Sequence, residues 1–228
     1  MKLLRLAFRR ETAIPVLALS FATGVCVALV GARIAWTGNL RAGFLIWNLF
    51  LAWLPLIFAL LACDHFEEPA GRNWRFGCFA AAWLFFFPNA PYIFTDLIHL
   101  TTRLYTHFWM DLMLILLCAL TGLVLGFVSL YLMQSVVSRM FGRLASWLFI
   151  AAVAGLSGVG VYLGRFLRFN SWDVLIRPVA VSRGIGNLVA DTQLSSLAIP
   201  ALFGTFLFIA YLMLYALTHL HQAQPGKA

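Results

Sequence analysis

The sequence predicts an all-α membrane protein, a bundle of six transmembrane helices, on three observations. Hydrophobic residues make up 63% of the 228 and charged residues 11%, whereas a soluble domain carries about 25% charged residues. Six stretches free of Asp, Glu, Lys, Arg and His are long enough to cross a hydrocarbon core, which takes about 20 helical residues. The apolar residues in them run continuously instead of alternating, which argues against a β-barrel. This composition excludes an ordinary soluble enzyme, a disordered chain and a nucleic-acid-binding domain. The net charge of +8 is spread over the loops between apolar runs.

The six runs are Thr12–Ala32, Ala42–Cys63, Phe76–Thr95, Leu112–Ser138, Leu144–Gly164 and Thr192–Thr218. With interfacial residues added, the expected helices cover about 12–33, 42–63, 75–95, 109–138, 144–165 and 192–219, and the whole chain, 1–228, reads as one transmembrane domain. The first run follows Lys2, Arg5, Arg9 and Arg10, like the n-region of a signal peptide, and Val30-Gly31-Ala32 has the letters of a cleavage site. It is longer than a signal h-region of about 7–15 residues, so an uncleaved helix is expected. The third run is interrupted by Pro88 and Pro91, which donate no N–H and leave the carbonyls of Leu84 and Phe87 without helical partners. The third helix is therefore expected to break there, with Asn89 able to satisfy part of the backbone.

Gly122/Gly126 in the fourth run, and Ala151/Gly155 and Gly160/Gly164 in the fifth, are small-xxx-small pairs. In lipid such pairs let helices approach closely, within one chain or as the face of a homo-oligomer. About 27 residues join the fifth and sixth runs, and Pro178, Gly184 and Gly186 interrupt Ile176–Ala190. An interfacial or re-entrant segment is expected there in preference to a single helix. Trp36, Trp74, Trp109, Trp147 and Trp172 stand at run boundaries, as an aromatic belt requires. Cys26, Cys63, Cys78 and Cys118 lie in or beside runs without CxxC spacing, and read as packing residues.

Six crossings put both termini on one side. That side holds nine bases (Lys2, Arg5, Arg9, Arg10, Arg72, Arg75, Arg139, Arg143, Lys227) against seven on the other (Arg33, Arg41, Arg103, Arg165, Arg168, Arg177, Arg183). The early cluster of four sets both termini as cytoplasmic. The four arginines between the last two spans then run against the positive-inside trend, which gives them another task.

Two segments differ from membrane filler. After the proline break, Thr95 is placed to cap a short helix with Asp96 and His99 on one face. His107 and Asp111 follow at the start of the fourth run. Asp96, His99, His107 and Asp111 have the donor atoms for a divalent metal, but no HExxH or HxxxH spacing accompanies them. In the second segment Arg165 and Arg168 share a helical face among Phe166, Leu167, Phe169 and Trp172, with Asn170, Ser171 and Asp173 following. Such a composition suits arginine heads that bind phosphate or carboxylate at a membrane interface. By the parity of six crossings both segments face the outer side. Asn89, Asp96, His99, Asp111, Arg165, Arg168, Asn170 and Asp173 are therefore the candidate ligand-binding residues, with the arginines expected near Asp96, Asp111 or Asp173.

FFPNAPYIFTDLIHL from Phe86, WMDLMLI at Trp109, and GVYLGRFLRFNSWD within Gly158–Asp173 resemble an uncharacterised, domain-of-unknown-function family of bacterial multi-pass membrane proteins. The resemblance implies a bacterial inner-membrane protein and implies no reaction, cofactor or substrate. The residues themselves favour a protein that binds or transports an anionic or lipid-headgroup ligand. A scaffold or accessory subunit whose polar cluster locks helices, and a membrane-embedded enzyme acting on a lipid-linked substrate, are the alternatives. No nucleotide-binding loop, GxSxG elbow or haem motif is present in the sequence.

Overall fold

The computed structural model describes residues 13–67, 74–101, 107–169, 173–190 and 194–219. Lys2, Arg5, Arg9, Arg10, Arg72, Arg103, Asn170, Ser171, Trp172 and Lys227 lie outside the described residues. Among the described residues there is no strand, and six helical stretches are long and apolar enough to cross a membrane.

Helix α1 (Ala13–Thr37) admits Pro15 in its first turn, where a missing N–H costs nothing. It stops at Gly38, whose φ of 64° is open to glycine and whose N–H closes on the Ile34 carbonyl at 2.9 Å. Asn39 then accepts from the Arg41 N–H at 3.0 Å and starts a 3-10 turn, Leu40–Gly43, that leads into α2 (Phe44–Glu67). Helix α3 (Trp74–Phe86) ends just before the prolines, as expected. A single turn, α4 (Asn89–Tyr92), and a nine-residue 3-10 helix, Ile93–Thr101, carry the chain onward. Helix α5 (Phe108–Phe141) has 34 residues, about 51 Å at 1.5 Å per residue. Gly142, at φ 87°, ends it by donating to the Ser138 carbonyl.

Helix α6 (Arg143–Arg165) is followed by a turn, the short α7 (Asp173–Ile176), α8 (Pro178–Ala190) and α9 (Leu194–His219). The expected interruption of Ile176–Ala190 falls at Pro178 alone, between the end of α7 at Ile176 and the start of α8. Pro178 is the first residue of α8, where its fixed φ favours a helix start, and Gly184 and Gly186 are accommodated inside 13 continuous residues.

The chain divides into two compact units, Met1–Ser146 and Trp147–Ala228. In the first, α5 is the most enclosed span and packs against α1, α2, α4 and the 3-10 helix. Leu45, Leu49, Ala52 and Leu56 repeat every three or four residues along α2. They meet Cys26 and Val30 of α1, Ala90 and Ile93 of the broken span, and Ile115, Cys118 and Ala119 of α5. Large apolar side chains such as Phe21, Leu144 and Leu202 stay more than 70% exposed. In lipid that surface is the solvated one, so helix association rests on close packing and hydrogen bonds instead of apolar burial.

In the second unit α6 and α9 meet backbone to backbone. A Cβ at Gly158 would land on the Pro200 carbonyl oxygen and 3.0 Å from the Gly204 nitrogen, and one at Gly204 would lie 3.0 Å from the Ala154 carbonyl oxygen. The close approach is thus made by Gly158 and Gly204, one helical turn from the Ala151/Gly155 pair, and a Cβ at Gly155 would meet nothing within 4 Å.

Candidate functional site

The break in the third span is closed locally. The Phe87 carbonyl, expected to lose its partner, accepts from the Ala90 N–H at 3.1 Å, and the Pro88 carbonyl accepts from Tyr92 at 3.1 Å. The Asn89 side chain donates to the Phe86 carbonyl at 3.0 Å. Asn89 therefore serves the backbone, which membrane depth demands. The turn lies in a groove cut by two glycines of α5. A Cβ at Gly122 would fall 2.7 Å from Ile93 Cδ1 and 3.0 Å from the Ala90 oxygen, and one at Gly126 would fall 3.0 Å from Ala90 Cβ. The Gly122/Gly126 pair is thus a contact within the chain.

Thr95 is not a cap. It sits inside the 3-10 helix and donates to the Tyr92 carbonyl at 2.6 Å. A 3-10 helix has three residues per turn, so residues three apart eclipse. That brings Asp96 and His99 together, with Nε2 and Oδ1 3.8 Å apart. The Asp96 side chain is 1% exposed and that of His99 39%. From α2, Asn48 Nδ2 donates to Asp96 Oδ2 at 2.7 Å, and the Phe44 ring lies 5.0 Å from the imidazole.

Asp111 has a different partner. Arg33 of α1 forks onto it, Nε to Oδ1 at 2.7 Å and Nη2 to Oδ2 at 3.0 Å, with the two side chains 11% and 2% exposed. The acid stands in the first turn of α5, where a negative charge suits the helix dipole. His107 stacks on Trp36 at 5.1 Å. Of the four acid and imidazole groups considered for a metal, Asp96 and His99 stand together, Asp111 is held by Arg33 and His107 stacks on Trp36. Among the described residues no three His, Cys, Asp or Glu side chains gather to hold a metal ion.

In the second unit Arg165 ends α6, and the Phe169 N–H closes the following turn on the Leu163 carbonyl at 3.1 Å. Arg168 takes a φ of 58°, a left-handed conformation that costs an L-residue roughly 1–2 kcal/mol. The turn is clamped: a Cβ at Gly184 of α8 would lie 3.0 Å from Phe169 and 3.1 Å from Leu167. Arg168 is exposed between these two anchors, and Arg177 and Arg183 are exposed beside it in sequence. Asp173 is half-buried at the start of α7, and Asn170 lies outside the described residues. Arg168→Gly is expected to stabilise the unit by about 1 kcal/mol in an unfolding titration, because glycine is at ease where arginine is strained.

Sequence reasoning missed Arg33 and Asn48. Arg33 follows immediately on the first charge-free run, where a charge is ordinary, and its meaning comes only from the acid across from it. Asn48 is uncharged and passes a charge filter, although an amide inside an apolar run carries a signal of its own.

A family model described as "Protein of unknown function (DUF1361)" matches residues 47–219. The chain belongs to that family. No curated protein and no solved structure matches it.

Proposed function

We propose that this membrane-spanning member of the DUF1361 family binds an anionic ligand of the lipid-headgroup class, with the arginines between the fifth and sixth spans as its anchors. The observation that carries the reading is Arg168, exposed and held in a left-handed backbone by a clamped turn. Backbone strain of this kind persists where the surrounding structure over-determines it, and such places cluster at binding sites. The neighbours fit the ligand class. Arg177 and Arg183 are exposed, and Phe166, Ile176, Val179 and Ile185 beside them are apolar and 40–69% exposed. Exposed guanidinium groups among exposed apolar side chains match the boundary between phosphate and acyl chain. Val181 and Leu188 bury the other face of α8.

Native mass spectrometry tests this reading on protein released from bilayers of mixed anionic and zwitterionic lipid. The wild type is expected to retain anionic lipid. The triple variant Arg168→Ala, Arg177→Ala, Arg183→Ala is expected to lose it while keeping its helical content. Equal retention of both lipid classes by both proteins contradicts the reading.

A structural reading suits the other polar group. Both oxygens of Asp111 are engaged by Arg33, and the pair is nearly sealed. We assign that pair to locking α1 against α5.

A further inference from the structure

We propose that Asp96 and His99 form a proton-binding dyad at the broken end of the third span, with Asn48 as the residue that positions the carboxylate. This goes beyond the ligand reading and rests on different residues. The helix break supplies the first requirement. With the α-helix stopped at Phe86, the chain continues as a 3-10 helix, and the three-residue period sets His99 directly over Asp96. An α-helical continuation would rotate the two about 60° apart.

Burial supplies the second. Asp96 is closed off at 1% exposure while His99 is 39% exposed, so one member of the pair is enclosed and the other is open. Asn48 Nδ2 fixes Oδ2, and Oδ1 is the oxygen turned to His99 Nε2. Their 3.8 Å separation is too long for a hydrogen bond and short enough for an ion pair.

Charge supplies the third. An isolated carboxylate within a bilayer is costly, and intramembrane acids mark proton and ion routes. Arg33 and Asp111 form an internally neutral pair. Among the described residues, Asn48 from α2 and His99 from its own element face Asp96, and the Cys118 thiol of α5 is within its electrostatic reach. Facing His99 are Asp96 and the uncharged Phe44 ring. One proton on the dyad leaves it neutral, either as imidazolium with carboxylate or as imidazole with carboxylic acid. The step is a proton transfer alone. A proton from water binds His99 Nε2 and passes to Asp96 Oδ1 when the exposed imidazole swings in from 3.8 Å to hydrogen-bond length, returning the imidazole to its neutral form, and no electrons change hands.

The test is modification by a hydrophobic carbodiimide, which attacks protonated carboxyl groups, on the full chain in membranes between about pH 5 and pH 8. Adducts are placed by peptide mass spectrometry. The wild type is expected to carry an adduct on Asp96 that grows as pH falls, with Asp111 unmodified behind Arg33. In His99→Gln the proton has only the carboxyl group to occupy, so modification of Asp96 should rise severalfold at the upper end of the range, its pH profile moved to higher pH. Absence of an Asp96 adduct throughout the range overturns the proposal. So does an adduct with the same pH profile in His99→Gln. Should that variant fail to insert, the wild-type profile decides alone: an adduct of constant extent across the range contradicts a dyad that gains and loses a proton.

Discussion

Arg33→Ala is expected to destabilise the protein by about 3–5 kcal/mol, because it strands the Asp111 carboxylate at 2% exposure. The forked contact satisfies both oxygens of Asp111, so removing the guanidinium leaves two acceptors and a charge with nothing to replace it. Arg33→Lys keeps the charge but cannot fork, and should fall between the wild type and Arg33→Ala. Arg33→Met with Asp111→Leu removes both charges and should recover most of the loss, since a buried ion pair exchanged for apolar groups is often neutral in stability. Detergent-unfolding titrations of the four proteins measure this series. A cost below about 1 kcal/mol for Arg33→Ala would place the pair among the weak exposed ion pairs and contradict its role as a lock.

Gly158→Ala is expected to cost roughly 1–3 kcal/mol or more, although it adds one methyl group. The new Cβ would fall on the Pro200 carbonyl oxygen, and backbone cannot rotate away as a side chain can. The helices α6 and α9 must separate, which loosens the contact at Gly204 as well. Gly155→Ala is the control. Its Cβ meets nothing within 4 Å, so the higher helix propensity of alanine should leave stability unchanged or slightly raised. The same unfolding measurement on both variants separates a packing effect from a general intolerance of change in α6.

The fold was legible because lipid imposes a simple rule. A span must be long, apolar and charge-free, and six runs met that rule where six helical stretches stand. The break at Pro88 and Pro91 was legible for an equally local reason, the two missing donors. The conformation beyond the break was not. Nothing local distinguishes a capped α-helix from the 3-10 helix that forms from Ile93 onward, because the choice depends on how the turn fits against Gly122 and Gly126. The α8 segment was legible at Pro178, where one helix ends and the next begins, and misled at its glycines. Two glycines read as interruptions, yet both lie inside the continuous α8, and Gly184 is the seat for Leu167 and Phe169.

The polar groups divide in the same way. Asp96 and His99 stand three residues apart, and their pairing follows from one element. Asp111 with Arg33 and Asp96 with Asn48 are separated by 78 and 48 residues, so only tertiary structure selects these partners. The two thiols Cys26 and Cys118 are both buried at the α1–α5 contact, consistent with packing residues.

The broken third span holds Asp96 inside the protein by means of Asn48, and a double-mutant cycle measures that contact. Asn48→Ala, Asp96→Ala and the double variant are unfolded alongside the wild type, and the coupling energy is read from the four free energies. A hydrogen bond to a carboxylate at 2.7 Å, enclosed by protein, predicts a coupling of about 1.5–3 kcal/mol. Additivity within about 0.3–0.5 kcal/mol would mean that the two side chains do not meet, and would contradict the account.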